Sequence, residues 1–266
     1  MGRTRVAAVV VVLALVVLWY AVRGVAALWS PAAGLVGRLT PWTVRLRAWV
    51  LSAPATCTYI VLFTAGTFVQ KTAPPKLIDL LTKVDSTNLW RLGDDPATVL
   101  VTSALWVADR GSGLAAYIAV FATVVAWAER RYGTPRLVLI AVSAHVLGSL
   151  CTARVERWAI DTGHAPHKLA LATDVGVSYI MVGSCAAAVL VMHGWVRWAG
   201  VLALLVTVAV PVFASRTIWD LGHLLATLIG LGTAVLTLLV GPLRTPPPLT
   251  EPWAPRPPVP TVGEPV

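Results

Sequence analysis

The chain has 266 residues, of which 57% are hydrophobic and 12% charged, with a mean hydropathy of +0.77. A soluble domain of this length cannot hide so much apolar surface, so the expected fold class is all-α and polytopic, embedded in a membrane. The formal charge of +9 is scattered between apolar runs rather than gathered on one face, which excludes nucleic acid as a partner and points to the headgroups of a lipid bilayer.

In chain order, the first apolar run covers 6–22, follows Arg3 and Arg5, and lacks a clean small-residue cleavage site before Arg23. Residues 1–30 are therefore expected to form an extra, uncleaved transmembrane helix. Residues 31–52 read as a basic connecting segment carrying Arg38, Arg45 and Arg47. Six further runs, 53–69, 111–128, 137–151, 173–192, 196–213 and 218–240, form a compact group within 53–241. Arginines sort its loops: Arg130, Arg131 and Arg136 lie between the second and third runs, Arg197 between the fourth and fifth, and Arg244 after the sixth. Those loops belong on the cytoplasmic side, and the expectation is a multi-pass protein of the plasma membrane.

On the opposite side, 70–110 contains two amphipathic pieces, 75–82 and 87–92, whose Leu77, Leu80, Leu81 and Trp90 suit short interfacial helices. The other outer loop, 152–172, holds Asp161, His164 and His167, which lack a fourth ligand, so no metal and no cofactor is expected. His145, inside the third run, reads as a packing residue bonded to a neighbouring helix. Trp19, Trp106, Trp127, Trp158 and Trp219 read as interfacial anchors, and Cys57, Cys151 and Cys185 as buried free thiols. The tail 242–266 holds ten of the nineteen prolines and is expected to be a disordered cytoplasmic extension.

Two runs open with residues that lipid tolerates only for a reason: Ser178 in Asp174-Val-Gly-Val-Ser178, and His223 in Asp220-Leu-Gly-His223. One run separates them, so their helices enter from the same face and run parallel, with both residues about 5–8 Å below it. A hydroxyl and an imidazole at one depth in a water-filled hollow are the minimum equipment for acyl transfer. Gly176, Gly183 and Ala186 on one helix, and Gly222, Ala226 and Gly230 on the other, permit close backbone approach. Asp174 and Asp220 are placed to cap their helix starts.

On these residues the six-run group resembles the rhomboid family of intramembrane serine proteases and their inactive relatives. The family's Gly-x-Ser-Gly with small residues five and eight positions later resembles Gly176-Val-Ser178, Gly183 and Ala186; its small residue and histidine with a later glycine resembles Gly222-His223 and Gly230. Glu129-Arg-Arg-Tyr-Gly133 looks like the family's Glu-x-x-x-Gly, and 96–106 like the stretch that opens its second span. The resemblance implies a six-helix bundle beside the extra amino-terminal helix, with Ser178 as nucleophile and His223 as general base. The implied partners are transmembrane helices of substrate or client proteins. Departures stand beside these matches: Tyr179 follows the serine where the family has glycine, Val182 replaces the aromatic that packs on the histidine, and Gly113 and Tyr117 replace a His-x-x-x-Asn pair that stabilises the oxyanion. Losing one such donor costs about 3–4 kcal/mol, so a proteolytically silent relative that binds client helices is the alternative. A transporter would need charge pairs in mid-span, which these runs lack.

Overall fold

The computed structural model describes residue 14, residues 16–246 and residue 249. Most of the first apolar run, and the proline-rich tail apart from residues 242–246 and 249, lie outside the described residues. Chain contacts divide the molecule into two units, Met1–Ser52 with Pro246–Val266, and Ala53–Thr245. Among the described residues there is no β-strand, and the protein is an all-α polytopic bundle. The smaller unit contains α1 (Val16–Val25) and α2 (Ser30–Ser52), so the basic segment is itself helical, with the Arg45 guanidinium over the Trp42 ring.

The larger unit opens with α3 (Pro54–Thr72), whose proline at the first turn forfeits only an amide that has no intrahelical acceptor. The next two amides are captured by a carboxylate 73 residues away or more: Ala55 and Thr56 donate to Glu129 Oε1 and Oε2 at 3.0 and 2.8 Å, and Thr134 Oγ1 donates to the same group at 2.7 Å. Glu129 is 1% exposed, and these bonds together with the helix dipole are what make its burial tolerable. Gly133 follows with φ +84°, and the Arg244 side chain fills the space a Cβ would need there. The Glu-x-x-x-Gly spacing thus has a local cause.

After α3 the chain folds back through α4 (Pro75–Val84), α5 (Leu89–Asp94), α6 (Pro96–Ser103) and α7 (Ala108–Gly111). Asn88 and Asp95 accept the Arg91 and Thr98 amides and so start α5 and α6. Leu77 and Leu80 are exposed on α4 as an interfacial helix requires, while Ile78 is buried. Trp106, expected as an interfacial anchor, is 9% exposed, and its indole N–H reaches Asp85 Oδ2 at 2.9 Å inside this segment. Tyr59 and Gln70 of α3 bond the carbonyls of Ala104 and Val107, drawing the segment into the bundle rather than leaving it at the surface.

The second pass consists of α8 (Leu114–Val120), a π turn (Phe121–Val125) and α9 (Ala126–Tyr132); the extra residue in the π turn packs Phe121 against Tyr59 and Phe63. α10 (Thr134–Asp161) runs ten residues past the expected end of its span. The extension remains helical because Thr152 and Glu156 face inward while Arg154 and Arg157 stay exposed. α11 (Val177–Val191), α12 (Gly194–Leu204), a π turn, α13 (Val210–Ala214) and α14 (Ile218–Val240) complete the bundle. Thr134–Asp161, Gly194–Ala214 and Ile218–Val240 are each long and apolar enough to cross a membrane.

α10, α11 and α14 form the tightest part of this unit. A Cβ on Gly230 would lie 2.5 Å from Gly183 Cα, and one on Gly148 would lie 3.1 Å from Ala226 Cβ. Tyr179 meets Gly222 and His223 while Gly183 meets Ala226 and Gly230, so residue numbers rise together along the contact and the two helices are parallel. Gly230→Val should lower the thermal midpoint in detergent, at a cost of about 1–3 kcal/mol for overpacking. Gly232→Ala, which meets nothing within 4 Å, should leave it unchanged or slightly raised. Glu129→Ala should cost about 1–3 kcal/mol by stranding two buried amides, seen as faster exchange of the Ala55 and Thr56 amide protons.

Candidate active site

The site is built around a length mismatch. α10 has 28 residues and α11 only 15, or about 42 and 22 Å at 1.5 Å per residue, against a hydrocarbon core of about 30 Å. α11 is therefore the shorter of the two by far, and Ser178 is its second residue. The first intrahelical bond of α11 runs from Ile180 N to Gly176 O, so the amides of Val177, Ser178 and Tyr179 precede it and have no helical carbonyl to meet.

The start of α11 is held from three sides. Gly176 N donates to Ser103 O at 2.9 Å, and the His145 ring occupies the volume a side chain at Gly176 would need. His145 Nε2 contacts Leu100 O at 2.7 Å and Ser103 Oγ at 3.4 Å, so this imidazole links α10 to α6. Asp174 does not cap α11, contrary to expectation. Its amide donates to Ser86 Oγ at 2.7 Å, its carbonyl accepts the Thr87 amide at 3.0 Å, and its Oδ2 accepts from Thr87 Oγ1 at 3.1 Å and Tyr179 Oη at 3.0 Å. Burial before the first turn of α11 pushes its carboxyl above the usual range, against the opposing pull of those bonds. Asp220 does cap its helix: with Thr217 it forms a reciprocal box at the start of α14.

Tyr179 is the residue that the sequence pattern undervalued. Its hydroxyl lies over Gly222, where any Cβ would collide with it, and beside the Thr152 hydroxyl. Its ring meets the His223 imidazole edge-on, with centroids 5.4 Å apart and planes at 81°. An aromatic partner for the histidine is therefore supplied by the position after the serine, although Val182 holds the position where the family places one. The signal available in sequence was Asp174 five residues before Tyr179, at the edge of a helix start.

Ser178 and His223 are both partly buried, on helices packed directly against each other, and among the described residues no hydrogen bond joins them. Gly176, Gly183, Gly222, Ala226 and Gly230 are all buried in contacts of α11 and α14 with each other or with α10. Gly113 starts α8 and is covered by the Tyr117 ring, which packs on the Phe63 and Phe121 cluster. His164 is bonded to Thr162 and stacked on Trp158, and among the described residues no three His, Cys, Asp or Glu side chains gather to hold a metal.

A family model described as rhomboid-like protein matches residues 48–241, about three quarters of the chain. The chain belongs to the rhomboid-like family. No curated protein and no solved structure matches it. The match spans the six helical passes of the larger unit, and with them every residue of the site just described. For this rhomboid-like protein, Gly222→Ala should be strongly destabilising, whereas Gly222→Ala combined with Tyr179→Ala should be less destabilised than the sum of the single changes. A double-mutant cycle on thermal midpoints reads this, with a coupling of about 0.5–3 kcal/mol expected for residues in direct contact.

Proposed function

We propose that this multi-pass rhomboid-like protein is an intramembrane serine endopeptidase of the plasma membrane that cleaves transmembrane segments of other proteins. In this reading Ser178 Oγ bonds to the scissile carbonyl carbon while its proton passes to His223. The imidazolium then gives that proton to the leaving amine, and water releases the acyl group by the same sequence. The observation that supports it is the pairing of Tyr179 with His223. A dyad without a carboxylate lacks the usual means of orienting its imidazole, and a ring anchored by its hydroxyl to Asp174 provides one.

In this reading the first amides of α11 serve as the oxyanion donors in place of the His-x-x-x-Asn pair that Gly113 and Tyr117 replace. They lie beside Ser178, carry the positive end of the helix dipole, and have no other helical acceptor. Client helices approach beside Gly194–Ala214, which buries less of itself than Thr134–Asp161 or Ile218–Val240, with Trp195, Trp198, Leu202 and Phe213 facing outward.

A second reading, a silent relative that holds client helices in the same cleft, is favoured by the lack of a Ser178–His223 hydrogen bond and by the identities of Gly113 and Tyr117. A fluorophosphonate probe applied to the full chain in native membranes separates the two. Labelling of the wild type, none of Ser178→Ala, and a fall of about a thousandfold or more in the labelling rate of His223→Ala would support the peptidase. No labelling, or labelling of all three alike, would support the silent relative.

A further inference from the structure

Away from the Ser178 and His223 pair, α3, α6, the π turn of the second pass, α10 and α11 enclose a cavity of about 340 Å³. Tyr59, Leu100, Phe121, Val142, His145 and Ile180 are among its walls, and no residue of α12, α13 or α14 contributes. Its surface is almost entirely apolar. Val101, Val138 and Val142 on its rim are 68%, 41% and 51% exposed, so it opens sideways through a face that the bilayer covers.

The shape has a direction. The wall follows α10 from Leu137 to Val146, about 13 Å of helix axis, so the bore runs along the helix, the direction in which lipid tails lie. Protein interiors hold few voids larger than a water molecule, and water entering this one would find too few polar partners to stay. The apolar matter available at its mouth is lipid tail. One end, at Thr56, Leu137 and Val138, adjoins the turn between α9 and α10, which bears Arg130, Arg131 and Arg136, the last of which also donates to the carbonyls of Gly241 and Pro242. The opposite end closes on Leu100, Ala104 and His145.

We propose that this cavity binds one acyl chain of an anionic glycerophospholipid, its headgroup at the arginine-bearing end and its tail against Leu100 and His145. The assignment is independent of whether Ser178 is a nucleophile. It carries a consequence for the site, because His145 and Ser103 hold both α6 and the start of α11. The tail packs beneath the segment that orders that turn.

The test uses the full chain reconstituted in vesicles of phosphatidylcholine doped with phosphatidylglycerol or phosphatidylcholine carrying a diazirine along one acyl chain. After photolysis, peptides spanning 100–104 and 137–146 should be labelled by the phosphatidylglycerol probe more than by the choline probe, by about fivefold for each arginine engaged. Ala141→Leu and Ala141→Trp, which fill the bore progressively, should reduce that labelling in steps. Labelling at Trp198 and Leu202, on the exposed face of α12, should stay unchanged, which also shows that the variants fold. Equal labelling by the two probes, labelling spread evenly over all lipid-facing helices, or labelling indifferent to Ala141→Trp would overturn the proposal.

Discussion

Everything in the larger unit depends on how closely α11 can lie against α14. In lipid, helices gain little from burying apolar side chains against each other, so association rests on packing contacts and interhelical bonds, and both require short distances. Gly183 and Gly230 set that distance by presenting bare backbone to each other, and Ala226 with Gly148 repeats the device toward α10. At the end of the same seam where α11 and α14 begin, Gly222 does something different: it leaves a slot, and the Tyr179 hydroxyl fills it. The seam is thus closed by small residues at depth and wedged by one aromatic at its mouth.

That wedge connects packing to chemistry. Tyr179 reaches Asp174 with its hydroxyl and His223 with its ring edge, so the carboxylate, the phenol and the imidazole form one chain of contacts across the start of α11. Asp174 in turn is bonded to Ser86 and Thr87 in the segment between α4 and α5, and Gly176 to Ser103 at the end of α6. The folded-back stretch between α3 and α8 is therefore a structural member of the bundle. Polar groups inside lipid must be satisfied internally, and this stretch satisfies those at the start of the short α11.

At the other end of the molecule, Glu129 acts by the same rule. It is a carboxylate buried where a helix starts, and its cost is offset by two amides of α3 and the Thr134 hydroxyl. Arg244 then lies over Gly133 and its amide bonds Arg131 O at 2.7 Å, so the end of the second pass and the exit of the last are tied together. The buried Glu129 thus marks a place where one helix end is held by a residue remote in sequence.

The membrane class, the run of six apolar passes and the parallel sense of the helices bearing Ser178 and His223 were all legible in the residues, because apolar length and loop parity are local properties that the bilayer converts directly into topology. The small-residue spacing on α11 and α14 was legible for the same reason, since a helix places every fourth residue on one face. The rest came from pairs far apart in sequence. Trp106 turned inward because Asp85 was there to receive its N–H, α10 continued past its apolar run because Thr152 and Glu156 had a polar interior to face, and Asp174 left its helix start to meet Thr87 and Tyr179. No pattern in a single segment encodes such choices, because each depends on which donor or acceptor the folded chain brings within hydrogen-bonding distance.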